Sequence, residues 1–232
     1  MTDDQPMRIN KYLAQEKYAT RLGADKLVAQ GKVRINDRIA KLGDKVNLGD
    51  KVEVINYQPK NYRYYTFYKP VGVITHSPQK SEKDIKSLVP LKGLFPVGRL
   101  DKNSEGLIIL TDDGRVTERL LAPESGHEKE YLVHTNEPLK ENLVNRMAKG
   151  VMIEGYITKP SKATIVSDYE FKIILTEGKK HQIRRMCASL GYTVSSLKRI
   201  RILNLKLHSL VPGQYMEIKK EDLKKFLSSI GL

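Results

Sequence analysis

Residues 98–111 read GRLDKNSEGLIILT, and this stretch decides how the chain is interpreted. The unbroken apolar run at 107–110 is typical of a fully buried strand. Asp101 lies ahead of it, two residues after Arg99 and between Gly98 and Gly106. Polar residues where a buried strand meets a loop often carry function. A lone Asp in such a place is most often a turn or cap residue, so a catalytic role for Asp101 needs support from elsewhere in the chain.

The charge balance of the 232 residues points to a polyanionic partner. Lys and Arg number 41 against 27 Asp and Glu, a formal net charge of +14, which favours nucleic acid or an acidic membrane surface. No apolar run approaches the roughly 18 residues that span a bilayer, and the first ten residues lack a signal-peptide layout. The single cysteine, Cys187, forbids an internal disulfide, as expected in a reducing cytosol. We therefore expect a cytoplasmic protein with a nucleic-acid partner and no membrane partner.

The pattern along the chain predicts two domains, at 1–55 and 63–232, joined by a linker at 56–62 that contains Pro59. The small domain is expected to hold two helices and short strands, with Gly23 delaying the start of the second helix. In the larger domain the strands are predicted at 64–68, 107–110, 130–135, 163–166, 171–175 and 201–207. Its helices are predicted at 114–121, 138–149, 181–190 and 221–229. This order indicates an α+β fold with much antiparallel pairing.

Several reaction classes are disfavoured by what the sequence lacks. The five histidines show no paired ligand spacing and one cysteine cannot build a zinc cluster, so no metal is expected. No glycine-rich turn follows a strand in the manner of dinucleotide-binding sites, so no cofactor is expected. Cys187 and His181 could form a nucleophile pair, but Cys187 lies among apolar neighbours and is better explained as a buried small hydrophobe. Acid–base or carboxylate chemistry remains.

A second basic stretch supports Asp101. Residues 179–201 hold seven Lys and Arg and no Asp or Glu. Seven like charges on a helix and the following strand repel one another unless an anion neutralises them. We therefore expect several of these cations to face outward, toward a phosphate backbone.

Three motifs in the same order resemble the RsuA-like branch of the RNA pseudouridine synthases: GRLD at 98–101, EKEYLV at 128–133 and KKHQIRRM at 179–186. The resemblance implies that Asp101 is the catalytic residue, that Tyr131 stacks on the target base, and that Arg184 pairs with Asp101. His181 stands where close relatives often carry Arg. The run YKPVGV at 68–73 matches a Lys-Pro-x-Gly turn of the family, which we interpret as structural.

Two further segments resemble parts of related proteins. RINKYL at 8–13, GKVRIN at 31–36 and GDKV at 49–52 resemble the S4 RNA-binding domain. RIRILNL at 199–205 resembles the "F" subgroup that modifies large-subunit rRNA. The resemblance implies a small α/β S4 domain followed by a catalytic domain on a mixed, largely antiparallel sheet with flanking helices.

Basic residues within or beside these motifs are the expected RNA contacts. They are Arg8, Lys11, Arg21, Lys26, Lys32, Arg34, Arg99, Lys129, Lys179, Lys180, His181, Arg185, Lys198, Arg199 and Arg201.

The resemblance therefore implies an enzyme that isomerises a uridine of 23S rRNA, without cofactor, as a monomer. The alternatives are the same chemistry on 16S rRNA or tRNA, or a catalytically silent RNA-binding protein of ribosome assembly. The presence of Asp101, Tyr131 and Arg184 together argues against the silent protein.

Overall fold

A computed structural model describes residues 6–16, 18–56, 61–79, 82–122 and 124–232. The chain forms two compact units, one of residues 1–62 with 113–115 and the other of residues 63–112 with 116–232. The expected linker at 56–62 includes residues 57–60, which lie outside the described residues. The domain boundaries drawn from the sequence stay a prediction.

The first unit packs two helices against short strands. The helices are α1 (Ile9–Gln15) and α2 (Arg21–Ala29), and the strands are β1 (Met7–Arg8), β2 (Val33–Ile35), β3 (Arg38–Ile39), β4 (Lys45–Val46) and β5 (Val52–Val54). β1 pairs with β4, and β2 lies between β3 and β5. The late start expected for α2 is wrong, because the Thr20 hydroxyl accepts a hydrogen bond from the Gly23 amide at 3.1 Å and caps the helix at Arg21.

The second unit is built on one large sheet. Its strands are β6 (Tyr64–Lys69), β7 (Phe95–Val97), β8 (Glu105–Thr111), β9 (Lys129–Thr135), β10 (Met152–Ile153), β11 (Tyr156–Ile157), β12 (Lys162–Ser167), β13 (Glu170–Leu175), β14 (Val194–Ile202), β15 (Leu205–Lys206) and β16 (Tyr215–Glu217). Its helices are α3 (Ile85–Leu88), α4 (Gly114–Leu121), α5 (Asn142–Ala148), α6 (Gln182–Ser189) and α7 (Lys220–Ser229). The first two residues of α4, Gly114 and Arg115, are assigned to the first unit.

The order of the sheet is β12-β13-β9-β14-β8-β6-β16, with β7 also on β8 and β15 also on β14. Among its described pairings, only β8 with β14 is parallel. The α+β class and the mixed, largely antiparallel sheet are therefore confirmed. The parallel pair places the start of β8, four residues after Asp101, beside the middle of β14.

One predicted strand is wrong. The run 201–207 is not continuous: β14 ends at Ile202, Leu203 has a positive φ of 50°, and β15 returns so that Arg201 pairs with Lys206. The apolar alternation continues through the turn, so the pattern alone did not show where the chain reverses. The long central strand β14 begins seven residues earlier than expected.

Each unit has its own apolar core. The first unit buries Ile9, Leu13, Ala24, Val28 and Val33 together. In the second unit, α5 and α6 cover β9 and β13, while Phe67, Ile108 and Leu110 pack with residues of the segment 73–94. Among the described residues, no helix has the length and apolar character needed to cross a bilayer.

Candidate active site

Asp101 lies on the loop 98–104, between β7 and β8, which we call the Asp101 loop. Its side chain is 39% exposed, and its Oδ1 atom lies 3.5 Å from Nε2 of His181. His181 precedes α6 and adopts a left-handed backbone, with φ of 51° and ψ of 30°. Such a conformation is uncommon for a residue with a side chain, and it is often found at functional sites. It presents the imidazole to the carboxylate of Asp101.

Hydrogen bonds within the Asp101 loop and from neighbouring segments hold its backbone. The Gly72 amide donates to the Lys102 carbonyl at 2.8 Å, and the Ser104 amide donates to the Asp101 carbonyl at 3.0 Å. The Thr75 hydroxyl is bonded to both backbone polar groups of Leu100. The loop therefore carries a half-exposed carboxylate on a fixed backbone.

Arg184 holds the same loop but does not pair with Asp101. Its Nη2 donates to the carbonyl of Asn103 and its Nη1 to the carbonyl of Val194, each at 2.8 Å. Within the described residues, the Asp101 carboxylate has the His181 imidazole as a close polar neighbour and forms no ion pair with Arg184. The expected direct Arg184–Asp101 pair is therefore corrected: both ends of the guanidinium are occupied by carbonyls, which fix the loop two residues beyond Asp101.

Two buried basic side chains, Lys69 and Arg199, lie near the Asp101 loop. Lys69 is fully buried and donates from Nζ to the carbonyls of Val73 at 2.6 Å and Pro70 at 2.9 Å. Burial lowers the pKa of Lys69 to about 8, although the negative charge of Asp101 acts in the opposite direction. Arg199 is 3% exposed, donates from Nε to the carbonyl of Leu107 at 2.7 Å, and lies 3.4 Å from the carbonyl of Arg99 through Nη1.

The approach of β14 to the loop depends on Gly106. Gly106 lies opposite both Lys69 and Arg199 in the sheet and has a φ of +108°. A Cβ atom there would lie 2.7 Å from the Arg199 amide nitrogen and closer still to its carbonyl oxygen. A glycine is required because only it allows the two backbones this close.

Tyr131 lies on β9, directly opposite Arg199 on β14 and Ile173 on β13. Its ring is partly buried and packs against the core beneath α6. Since residues directly opposite in an antiparallel pair point to the same face, Tyr131 shares its face with Arg199, whose guanidinium reaches Arg99. The sheet thus connects Tyr131 to the start of the Asp101 loop.

The opposite face of β14 carries a separate group of polar side chains. Lys198 lies 3.5 Å from Glu105, and the Tyr68 hydroxyl donates to the same carboxylate at 2.9 Å. Burial, followed by the hydrogen bond to Glu105, raises the pKa of Tyr68. Because side chains alternate along a strand, Lys198 points away from the face that Arg199 occupies.

The expectation that several cations of residues 179–201 face outward holds for Lys179 and Lys180, which are exposed, but not for the whole stretch. Carboxylates from distant parts of the chain neutralise three of its cations: Arg185 pairs with Glu154, Lys198 with Glu105, and Arg201 with both Glu128 and Glu130. A count along the sequence misses these partners because the pairs form between elements that are far apart in the chain. Arg199 is also misplaced in the list of RNA contacts, since its side chain is buried.

The other expected RNA contacts are more accessible. Lys129 is half-buried, and burial lowers its pKa with a further contribution from Arg199. The remaining residues, all exposed, are Arg8, Lys11, Arg21, Lys26, Lys32, Arg34, Arg99, Lys179, Lys180 and His181.

Cys187 is excluded as a nucleophile. It is fully buried on α6, and burial raises the pKa of its thiol to about 12. At neutral pH it is therefore a protonated, inaccessible thiol, because the nucleophilic form of cysteine is the thiolate.

Comparison with known proteins identifies the class. Residues 63–189 match the family described as RNA pseudouridylate synthase, and residues 7–52 match the S4 domain. The dual-specificity RNA pseudouridine synthase RluF of Escherichia coli K12 is 35% identical over 96% of this chain and 79% of its own length. Ribosomal small subunit pseudouridine synthase A of Haemophilus influenzae is 33% identical over 95% of this chain and all of its own.

A solved structure agrees in fold. The crystal structure of a pseudouridylate synthase superposes with a TM-score of 0.70 at 31% identity, covering 95% of this chain and 99% of the other. The fold and the matches define an isomerase that acts on RNA. The chain belongs to the RNA pseudouridine synthase family, in its RsuA-like branch with an S4 domain.

Proposed function

We propose that the chain converts a specific uridine of 23S rRNA to pseudouridine, with Asp101 as the catalytic carboxylate. The observation that carries this proposal is the half-exposed carboxylate of Asp101 on a backbone fixed from several sides, with His181 at 3.5 Å. A reactive group held in one geometry avoids the entropic cost of finding it during the reaction.

The reaction balances without a redox partner. The bond from C1′ to N1 breaks, a bond from C1′ to C5 forms, C5 loses its proton and N1 gains one. Asp101 supplies the carboxylate for this rearrangement, and Arg184 holds its loop through the carbonyl of Asn103. Tyr131 stacks on the base, which must be flipped out of any helix to reach the site.

The exposed cations position the RNA. Six of them lie on the S4 domain, and Lys179 and Lys180 lie in the turn before α6, close in sequence to His181. Phosphate contacts of this kind fix register and orientation without reading sequence. We expect the logarithm of the affinity to fall with the logarithm of the salt concentration by about 0.7 per neutralised phosphate on single strands. An affinity that does not change with salt would contradict this role.

The choice of 23S rRNA is supported by the RIRILNL run at 199–205 and by the likeness to RluF. Because RluF is named a dual-specificity enzyme, the proposed function allows a second RNA substrate for this chain. The relative from Haemophilus influenzae, named for the small subunit, makes 16S rRNA the principal alternative.

Tritium release from full-length transcripts labelled with [5-³H]uridine tests the substrate. We expect wild-type protein to release tritium from 23S transcript and not from 16S transcript, and the Asp101→Asn variant to release it at least about 100-fold more slowly. Release from 16S alone, or from tRNA alone, would contradict the choice of 23S rRNA while keeping the isomerase.

We further propose that the protein is a cytoplasmic monomer. Its RNA substrate and its single reduced thiol fit this location, and the buried Cys187 cannot link two copies through a disulfide. Light scattering is expected to give the mass of one chain, 26.4 kDa. A concentration-independent mass of twice that value would contradict the monomer.

A further inference from the structure

Thr75 contacts the Asp101 loop through its side-chain hydroxyl. Its side chain is 4% exposed, and its hydroxyl donates to the Leu100 carbonyl at 2.9 Å. The same oxygen accepts a hydrogen bond from the Leu100 amide at 3.1 Å. One hydroxyl therefore satisfies both backbone polar groups of the residue that directly precedes Asp101.

The chemistry of this contact requires a hydroxyl. A hydroxyl has one proton to donate and lone pairs to accept, whereas an aliphatic side chain of the same shape has neither. Leu100 is 7% exposed, so its backbone groups have little access to water as a substitute partner. Because both groups of Leu100 are held, the direction in which the chain enters Asp101 is fixed.

The position of Thr75 is itself fixed by its neighbours. The Ile74 amide donates to the Lys83 carbonyl at 3.0 Å, and the Ile85 amide donates to the Ile74 carbonyl at 3.2 Å. Lys69 binds the Val73 carbonyl through its buried ammonium group. The segment that follows the Lys-Pro-x-Gly turn is thus held at Val73 and Ile74, directly before Thr75, which fixes the Thr75 hydroxyl against the Asp101 loop.

The bonds on the other side of Asp101 do not replace this contact. Gly72 holds Lys102 and Arg184 holds Asn103, both after Asp101 in the chain. Before Asp101, Arg199 reaches the Arg99 carbonyl only at 3.4 Å, which is long for a hydrogen bond. Thr75 makes the shorter bonds on the entering side.

We propose that Thr75 is a positioning residue that sets the orientation of the Asp101 carboxylate through the backbone of Leu100. This role rests on the proposed function, in which Asp101 is catalytic. A displacement of the reacting group by about 1 Å can lower a rate by about 100-fold.

The test compares Thr75→Val, which keeps the shape and removes the hydroxyl, with Thr75→Ser, which keeps the hydroxyl. In tritium release we expect Thr75→Val to lower kcat by about 10- to 100-fold with KM unchanged, because substrate binding does not involve Thr75. Thr75→Ser is expected to stay within about threefold of wild type. Thr66→Val is the matched control, since Thr66 is also buried and its hydroxyl binds a backbone carbonyl, that of Met216, at 3.2 Å.

Hydrogen exchange at the Ser104 amide gives a readout that does not depend on activity. This amide donates to the Asp101 carbonyl, so its exchange is expected to accelerate at least tenfold in Thr75→Val and not in Thr66→Val. Unchanged exchange, or a loss that appears in KM alone, would overturn the proposal. If wild-type protein releases no tritium, the proposed function fails, while the exchange result still decides whether Thr75 fixes the loop.

A folding failure of Thr75→Val does not end the test. Thr75→Ser and Thr75→Ala are both smaller than threonine and differ only in the hydroxyl. We expect kcat of the serine variant to exceed that of the alanine variant by about fivefold or more. Equal values in the two variants would overturn the proposal.

Discussion

Substituting Gly106 by alanine tests the close approach of β8 and β14 beside the Asp101 loop. The added Cβ would lie 2.7 Å from the Arg199 amide nitrogen and closer to its carbonyl oxygen, so the backbone must shift. A φ of +108° costs an L-residue about 1–3 kcal/mol, and overpacking a well-packed interior costs about 1–3 kcal/mol more. We therefore expect Gly106→Ala to lower the free energy of unfolding by about 2–6 kcal/mol.

Gly213→Ala is the matched control. Gly213 also has a positive φ, 88°, but nothing lies within 4 Å of a Cβ atom there. The strain and the change in unfolded-state entropy are therefore shared, and the difference between the two variants isolates the clash. Urea denaturation followed by circular dichroism measures both variants. If Gly106→Ala costs no more than Gly213→Ala, the account of this backbone approach is refuted.

Three further predictions concern Lys69, Arg184 and Cys187. Burial lowers the pKa of Lys69 to about 8. Between pH 8 and pH 10.5 the folded chain therefore binds fewer protons than the unfolded chain, so its free energy of unfolding should rise with pH. Measured by urea denaturation, the free energy of unfolding of wild type relative to Lys69→Met should increase by up to about 3 kcal/mol across this range. A difference that stays flat or falls with pH would contradict the lowered pKa of Lys69. Arg184→Lys should lower kcat about 10- to 100-fold in tritium release, because one ammonium group cannot replace the two hydrogen bonds of the guanidinium. The control variant Arg146→Lys, at an exposed position, should keep the wild-type kcat. Equal kcat values for the two variants would exclude the role of Arg184 in holding the loop. Cys187, whose thiol pKa is raised to about 12, should react with a thiol reagent only after unfolding, and stoichiometric labelling of native protein would contradict its burial.

Much of the fold could be predicted from periodicity and turn residues. The predicted helices at 114–121 and 181–190 correspond to α4 and α6, and the apolar run at 107–110 lies in β8. The reversal at Leu203 was missed because the apolar pattern of β14 continues into β15. The order of the sheet depends on contacts between distant segments, which local patterns do not specify.

The candidate site was only partly accessible to sequence reasoning. The motifs indicated Asp101, Tyr131 and Arg184, but the bonds of Arg184 to two carbonyls require the folded chain. Thr75 was missed because a single threonine carries no motif, and its position shortly after the Lys-Pro-x-Gly turn was the one available signal. The charge count along 179–201 overestimated the free cations, because their glutamate partners come from other parts of the chain.

The most direct test of the central claim measures turnover and RNA binding together in the Asp101→Asn variant. Asparagine keeps the shape of the side chain and removes the negative charge, and the half-exposed carboxylate makes no phosphate contact in the proposed arrangement. We expect turnover of 23S transcript to fall by about 10²–10⁴-fold or more, with the dissociation constant for the transcript within about threefold of wild type. Turnover close to the wild-type rate would contradict the assignment of Asp101 as the catalytic carboxylate.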